Sequence, residues 1–198
     1  QFRTAFVADD FAQVMEMTRD AKVVGVDIPI GLPQGGERRV CDLEAKRILG
    51  KRQSSVFLTP SAELLNFETL QEANQFAESR GWPKMSAQTF GLKKQILAVA
   101  PWAEADERIF EVHPEVSFTE AGGSILGFSK SSWNGQHERR QILEVNGVSL
   151  SDRINSIGEA GAADLLDAGI VAWSASRIAT GTARILGEHG NQSGAIWA

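Results

Sequence analysis

The stretch that decides the fold lies at residues 23–33 and reads VVGVDIPIGLP. Its β-branched opening predicts a short strand that is buried on both faces, as in a sheet covered by helices. Asp27 interrupts the apolar run near its end, and Pro29, Gly31 and Pro33 then stop regular structure. Ligand sites of open α/β sheets lie at the carboxyl ends of the strands, where a buried charge needs a partner. We therefore favour a metal-binding or catalytic carboxylate at Asp27 over a turn or helix-capping residue.

The segments around this strand predict an α/β fold. Residues 2–7 alternate like a strand, and a helix follows as far as about residue 20, so the chain opens with a strand–helix–strand crossover. Hydrophobic periodicity, together with the glycine and proline residues that interrupt regular structure, predicts further helices at 38–49, 62–80, 86–99, 136–146, 151–157 and 163–180. The same signals predict extended segments at 54–60, 108–118 and 195–198, and a turn at 190–194. The last long helix is rich in small residues and can therefore lie very close to a sheet. We expect one domain over residues 1–198 and a native N-terminal piece before Gln1.

Composition describes an ordinary globular domain with one substantial core, since 42% of the 198 residues are hydrophobic and 23% are charged. The single cysteine, Cys41, excludes an intramolecular disulfide and indicates a reducing cytoplasm. No apolar run approaches the roughly 20 residues of a membrane helix, so we expect no membrane partner. The net charge of −5 means that a nucleic acid would need a local basic patch or bridging metal ions.

Two further segments place carboxylates at predicted element ends. Glu111 and His113 share one face of the extended segment at 108–118, and Glu115 follows shortly after. Either this group is a metal or functional site, or His113 is a hydrogen-bonded packing residue. Asp164 and Asp167 lie three apart at the start of the helix at 163–180, hence on one face. N-capping is a sufficient explanation for Asp164 and a weaker one for Asp167.

Other chemistries lack their motifs. The sequence has no Gly-x-Ser-x-Gly elbow, no Walker loop and no Gly-x-Gly-x-x-Gly after a strand, and its three histidines and one cysteine do not form a zinc pattern. The remaining candidates are carboxylates, and hard oxygen ligands select Mg²⁺ or Mn²⁺. Two such ions, roughly 3.5–4 Å apart, can hold the attacking and leaving oxygens of a phosphodiester.

Basic residues gather near the predicted acidic site. The helix at 38–49 carries Arg38 and Arg39 at its start, Lys130 lies in a glycine-bounded loop, and Arg139 and Arg140 form a pair on the next helix. Such runs are often solvated surface, and the alternative is contact with phosphate. Arginine and lysine beside a carboxylate site would let an acidic protein hold a nucleic-acid backbone.

Several segments recur in one order and resemble the domain-of-unknown-function family 429 (DUF429), described as predicted nucleases with a ribonuclease-H-like fold. They are VDIPIGLP at 26–33, RVCD at 39–42 with LG at 49–50, SSVF at 54–57, EVHPEVSF at 111–118, SK at 129–130 with Gly135 and the pair Arg139-Arg140, and DLLDA at 164–168. The resemblance covers nearly the whole chain and implies a mixed sheet with helices on both faces. The last segment is similar to the acidic C-terminal helix of RuvC-type resolvases, which also presents two aspartates three apart.

The resemblance implies a metal-dependent nuclease that cuts phosphodiesters of DNA or RNA by water attack. Asp27, Asp164 and Asp167 would be both catalytic residues and ligands of Mg²⁺ or Mn²⁺, and Glu111 and Glu115 would be auxiliary catalytic acids. His113 would contact the metal ligands rather than the metal ion itself. The alternative is a non-catalytic ribonuclease-H-like module that binds nucleic acid or a protein partner.

One departure from the pattern concerns the first strands. Ribonuclease-H-like enzymes carry a central aspartate on their first strand, and that strand has no counterpart here. We therefore expect either a longer native chain or a missing primary ligand. The chain beginning at Gln1 is predicted to bind Mg²⁺ weakly and to have little nuclease activity.

Overall fold

The computed structural model describes residues 2–187 and 194–198. About half of the chain is helical, and the strands are only two or three residues long, so the prediction of a mixed α/β structure is confirmed. The ribonuclease-H-like topology stays a prediction. The α-helices are α1 (Phe11–Met17), α2 (Val40–Leu49), α3 (Leu70–Ser79), α4 (Ala87–Gly91), α5 (Lys93–Ala105), α6 (Pro114–Gly122), α7 (Trp133–Val145) and α8 (Ala162–Thr180). The strands are β1 (Val24–Val26), β2 (Ile109–Glu111), β3 (Ile185–Leu186) and β4 (Ile196–Trp197).

The chain divides into two compact units, each assembled from separate stretches of sequence. The first contains the described residues up to Asp27, residues 112–183 and Ala198, and the second contains residues 28–111, 184–187 and 194–197. The expectation of one domain over the whole chain stays a prediction. None of the helices in the described part of the chain combines the length and apolar character that a membrane crossing requires.

The first unit is organised around α8, which packs against β1, α6 and α7. Small residues permit this close packing. A Cβ built on Gly25 of β1 would lie 2.8 Å from Cγ1 of Val171, and one on Gly169 would lie 3.1 Å from Cδ1 of Leu143. The prediction that the small-residue helix lies close to a strand is therefore confirmed. The buried apolar cluster of this unit comprises Phe118, Leu126, Leu143, Leu150, Leu166 and Ile170.

The second unit contains a helical layer and a short antiparallel pair. Strands β3 and β4 pair with Ile185 opposite Trp197 and Leu186 opposite Ile196, and α2 packs against both. The ring of Trp197 meets that of Phe110 edge-on at 5.2 Å between centroids. The buried apolar cluster of this unit comprises Leu64, Leu65, Ala73, Ala77, Met85 and Ile96.

Several predicted elements were wrong in detail. The predicted strand at 2–7 has no regular secondary structure; Phe2 instead packs against the apolar cluster of the first unit. The predicted helix at 62–80 is a 3₁₀ helix (Ala62–Asn66) followed by α3, because Thr69 starts a new helix. Its hydroxyl accepts from the Glu72 backbone N–H while the Glu72 carboxylate accepts from the Thr69 backbone, which is a complete capping box.

The extended segment predicted at 108–118 ends at Glu111, and α6 begins at Pro114. Proline has no N–H and a fixed φ, so it suits the first position of a helix better than the interior of a strand. Glu115 therefore lies in the first turn of a helix. The predicted helix at 151–157 is reduced to a 3₁₀ turn at Asn155–Ile157. The predicted strand at 195–198 is confirmed as β4, whereas the predicted turn at 190–194 lies outside the described residues except for Gly194.

Candidate functional site

Four predicted residues come together in the first unit, and we call Asp27, Lys130, Asp164 and Asp167 the acid–lysine cluster. Asp27 directly follows β1, and the other two aspartates lie in the first two turns of α8. The Nζ of Lys130 donates a hydrogen bond to Oδ2 of Asp167 at 2.7 Å. Lys130 is about half exposed, with 48% of its side chain accessible, whereas Asp167 is buried. The cluster therefore joins one buried carboxylate to the surface through a lysine.

The charges of this cluster interact directly. Burial lowers the pKa of Lys130, but its hydrogen bond to Asp167 and the attraction of Asp167, Asp27 and Asp164 outweigh that effect, so its pKa is raised. Burial raises the pKa of Asp167, and the opposing attraction of Lys130 is the smaller influence. The charges of the three carboxylates thus act on the lysine ammonium, and the charges of Glu115 and Arg139 also act on Asp167.

Asp167 satisfies only one of its two oxygens within the described structure. Oδ2 accepts from Lys130, whereas the buried Oδ1 has no hydrogen-bond partner among the described residues. Only 9% of the residue is exposed. An unpaired buried carboxylate oxygen is costly unless a ligand or water satisfies it. Asp167 therefore has coordinating capacity that the described protein groups do not use.

The donor set suits Mg²⁺ or Mn²⁺, since it consists of hard carboxylate oxygens. In the described part of the chain, however, no group of three or more His, Cys, Asp or Glu side chains is arranged to hold a metal ion. Asp27 and Asp164 are exposed, and Lys130 takes one oxygen of Asp167. A metal ion that coordinated both oxygens of Asp167 would therefore require the lysine to move.

Glu115 is buried and forms an interior ion pair with Arg139 of α7. Nη2 of Arg139 donates to Oε1 of Glu115, while Nη1 donates to the carbonyl oxygens of Gly135 at 3.0 Å and Phe128 at 3.3 Å. Arg139 is fully buried, with its guanidinium 5.4 Å from the ring centroid of Phe118. The sequence predicted a phosphate contact at Arg139, but the structure places its guanidinium in the protein interior.

Glu111 belongs to a second interior ion pair, which lies within the second unit. Arg39 donates through Nη1 and Nη2 to the two oxygens of Glu111, both at 2.7 Å, and through Nε to Oδ1 of Asp42 at 3.1 Å. The backbone N–H of Ile30 donates to Glu111 at 2.6 Å, and the N–H of Thr59 donates to Asp42 at 2.7 Å. All three charged side chains are buried. The structure therefore places the guanidinium of Arg39 and the carboxylate of Glu111 in the interior of the second unit.

Asp42 was not among the predicted site residues. The spacing Arg39-x-x-Asp42 at the start of a helix was the available signal, because residues three apart lie on one helical face. The adjacent Cys41 is buried, which raises its pKa to about 12 despite the opposing charge of Arg39. A thiol with that pKa is protonated at neutral pH, so Cys41 is a packing residue here.

The other predicted residues lie at or near the surface. Arg38 is exposed, and Arg140 is exposed with Nη2 donating to Asp152 at 2.5 Å. His113 is partly buried and directly precedes α6. Their predicted roles in phosphate contact and in supporting the ligands stay predictions.

Comparison with known proteins gives one family. The sequence model of the family described as protein of unknown function (DUF429) matches residues 2–191. No curated protein and no solved structure matches the chain.

Proposed function

The chain belongs to the DUF429 family, and we propose that it hydrolyses phosphodiester bonds of nucleic acid, with a divalent metal ion at the acid–lysine cluster. The observation that carries the proposal is the buried Oδ1 of Asp167, which has no hydrogen-bond partner among the described residues. The charges of two exposed carboxylates, Asp27 and Asp164, also act on the lysine that Asp167 binds. Hard oxygen donors that converge on one cation are the chemistry expected for Mg²⁺ or Mn²⁺.

Lys130 occupies a position next to Asp167 for which a metal ion would compete. Its ammonium binds Asp167, and the charges of Asp27 and Asp164 favour its protonated form. A divalent ion would carry twice the charge to the same carboxylates. The released lysine, which is already half exposed, would then be available to a phosphate group. Bound Mg²⁺ or Mn²⁺ would supply activation of water and neutralisation of phosphate charge.

Exposed aromatic side chains beside Lys130 support a single-stranded substrate. Trp133 is 83% exposed at the start of α7, and Phe128 is 50% exposed two residues before the lysine. Aromatic faces next to a cation are typical of surfaces on which unpaired bases stack. Paired bases of a duplex cannot stack in this way without opening.

The test replaces the cation that competes with the metal. Lys130→Met should raise Mn²⁺ affinity about 10- to 100-fold, because removing a charge-assisted hydrogen bond frees Asp167. Asp167→Asn should abolish that gain, and the matched control Lys94→Met, which removes an exposed lysine of α5, should leave affinity unchanged. Mn²⁺ binding is followed by electron paramagnetic resonance, and cleavage of single-stranded and duplex DNA and RNA is assayed with Mg²⁺ and Mn²⁺.

The second candidate is a non-catalytic module that binds nucleic acid or a protein partner. The Lys130–Asp167 ion pair favours it, because that pair neutralises the buried charge without a metal. Equal Mn²⁺ affinity in the wild type and Lys130→Met, together with no cleavage of any substrate, would replace the nuclease proposal by this one. Metal binding that depends on Asp167, with cleavage lost in Asp27→Asn, would exclude it.

A further inference from the structure

A cavity of about 300 Å³ in the second unit contains a buried hydroxyl that the fold does not use. Thr59 lines the cavity with only 5% of its surface exposed. Its backbone N–H is taken by Asp42, but its Oγ1 has no hydrogen-bond partner among the described residues. A buried hydroxyl left without a partner costs free energy, which a ligand in the cavity would recover.

The same cavity carries local positive charge in a chain of net charge −5. Arg38, Lys46 and Lys84 line it, against the single carboxylate of Glu37. Lys46 donates to the carbonyl of Gln53, so its charge is not neutralised by that bond. Among the described residues Lys84 pairs with Glu78, an exposed glutamate 3.2 Å away that does not line the cavity. The cavity therefore favours an anion.

Arg38 is the lining cation with the most donor capacity left. It is exposed and forms no hydrogen bond or ion pair with the described residues. A guanidinium presents a planar fork that matches a phosphate or carboxylate in two-point contact. The anion of the ligand is therefore expected at Arg38.

The remaining lining residues are both polar and apolar, and the apolar ones include Phe57, Pro83 and Met85. Phe57 keeps 42% of its surface exposed. An exposed aromatic ring beside apolar neighbours suits a flat, weakly polar group. A volume of about 300 Å³ lies at the small end of ligand sites, roughly 300–1,000 Å³, so the space suits one small molecule.

We propose that this cavity binds a nucleoside monophosphate, with the phosphate at Arg38 and the lysines, a hydroxyl contact at Thr59 and the base against Phe57. The site is built from residues of the second unit alone. It does not depend on the acid–lysine cluster or on the nuclease proposal.

The test is isothermal titration calorimetry of the full chain with the four nucleoside 5′-monophosphates. Thr59→Val keeps the shape of the side chain and should weaken binding about 3- to 10-fold, because only the unpartnered hydroxyl is lost. Arg38→Met should weaken it about 10- to 100-fold and reduce its salt dependence. The matched control Arg47→Met removes an exposed arginine that does not line the cavity and should leave affinity unchanged.

Three further kinds of ligand show whether binding depends on the phosphate, on the nucleoside or on a longer nucleic-acid chain. Inorganic phosphate alone and the unphosphorylated nucleosides should each bind more weakly than the monophosphates, and a single-stranded oligonucleotide without a terminal phosphate should not compete. No saturable binding of any monophosphate at millimolar concentration would overturn the proposal. Equal affinity for inorganic phosphate, unchanged affinity in Thr59→Val, or equal losses in Arg47→Met and Arg38→Met would also overturn it. Lys130→Met should leave nucleotide binding intact, which separates this test from that of the nuclease.

Discussion

Replacing Arg39 by methionine should destabilise the protein far more than replacing its neighbour Arg38. Arg39 is the only cation that contacts the buried carboxylates of Asp42 and Glu111 within the described structure. Methionine fills much of the same volume but leaves two interior negative charges without a partner. Arg38 is exposed and pairs with no described residue, so Arg38→Met is a control at the adjacent position.

The magnitude follows from the contacts that are lost. Breaking a buried ion pair by removing one partner costs about 3–5 kcal/mol of unfolding free energy. Arg39 also donates to the carbonyl of Ile30 at 2.8 Å, and leaving that buried acceptor unsatisfied adds about 1–3 kcal/mol. The sum is a large part of the roughly 5–15 kcal/mol that stabilises a typical domain. Arg38→Met should change stability by less than about 0.5 kcal/mol.

The penalty should depend on pH in a defined direction. Burial already raises the pKa of Glu111, and the attraction and hydrogen bonds of Arg39 oppose that rise. Without Arg39 nothing from that side chain opposes the rise, so the pKa of Glu111 in the folded variant increases further. The folded variant then keeps the Glu111 proton at a pH where the unfolded chain, with a glutamate pKa near about 4, has released it. The destabilisation caused by Arg39→Met should therefore be largest at neutral pH and shrink as the pH falls towards 5.

The assay is urea unfolding followed by circular dichroism at pH 7 and pH 5. If Arg39→Met does not fold, Arg39→Lys keeps the charge, loses the two-point geometry and should show an intermediate loss of about 1–3 kcal/mol. Equal stabilities of Arg39→Met and Arg38→Met at pH 7 would refute the interior ion pair. Loss of nucleic-acid affinity in Arg39→Met without loss of stability would instead support the phosphate contact that the sequence predicts.

Three further predictions concern packing, capping and titration. Gly25→Ala should destabilise the protein by about 1–3 kcal/mol, because the new Cβ would lie 2.8 Å from a side-chain carbon of Val171. The control Gly91→Ala places its Cβ where no atom lies within 4 Å, so it should be neutral or stabilise by about 0.5–1 kcal/mol. Thermal unfolding of both variants measures these changes. Thr69→Ala removes the α3 capping box and should lower the unfolding free energy by about 0.5–2 kcal/mol in urea. Burial raises the pKa of Asp167 above its value in the unfolded chain, although the attraction of Lys130 opposes this. The stability of the wild type should therefore fall relative to that of Asp167→Asn as the pH rises from about 4. Equal changes in the urea midpoints of the two proteins between pH 4 and pH 7 would contradict this.

Local sequence predicted much of the secondary structure. The apolar run before Asp27 forms β1, the small-residue segment forms α8, and the helix predicted after residue 7 forms α1, which the structure shows capped by Asp10. These features depend on near neighbours in the chain, through side-chain periodicity and capping. Pro114 carried a local signal of the same kind, although it lies inside the extended segment predicted at 108–118, and it begins a helix.

The candidate site was predicted only in part. Asp27, Asp164, Asp167 and Lys130 were proposed from sequence and come together in one cluster. Their metal-binding and catalytic roles stay predictions. The sequence did not indicate that the lysine would bind Asp167 directly, because Lys130 and Asp167 are 37 positions apart.

By itself the sequence determined which residues carry charge, where β1 and α8 form and which segments are apolar enough to be buried. Only the tertiary structure decided which charges meet. Arg38 and Arg39 are identical side chains at adjacent positions, yet one is exposed and the other lies between two buried carboxylates. The physical reason is that Glu111, 72 positions away, and the backbone of Ile30 must both be brought to Arg39 before its burial becomes favourable.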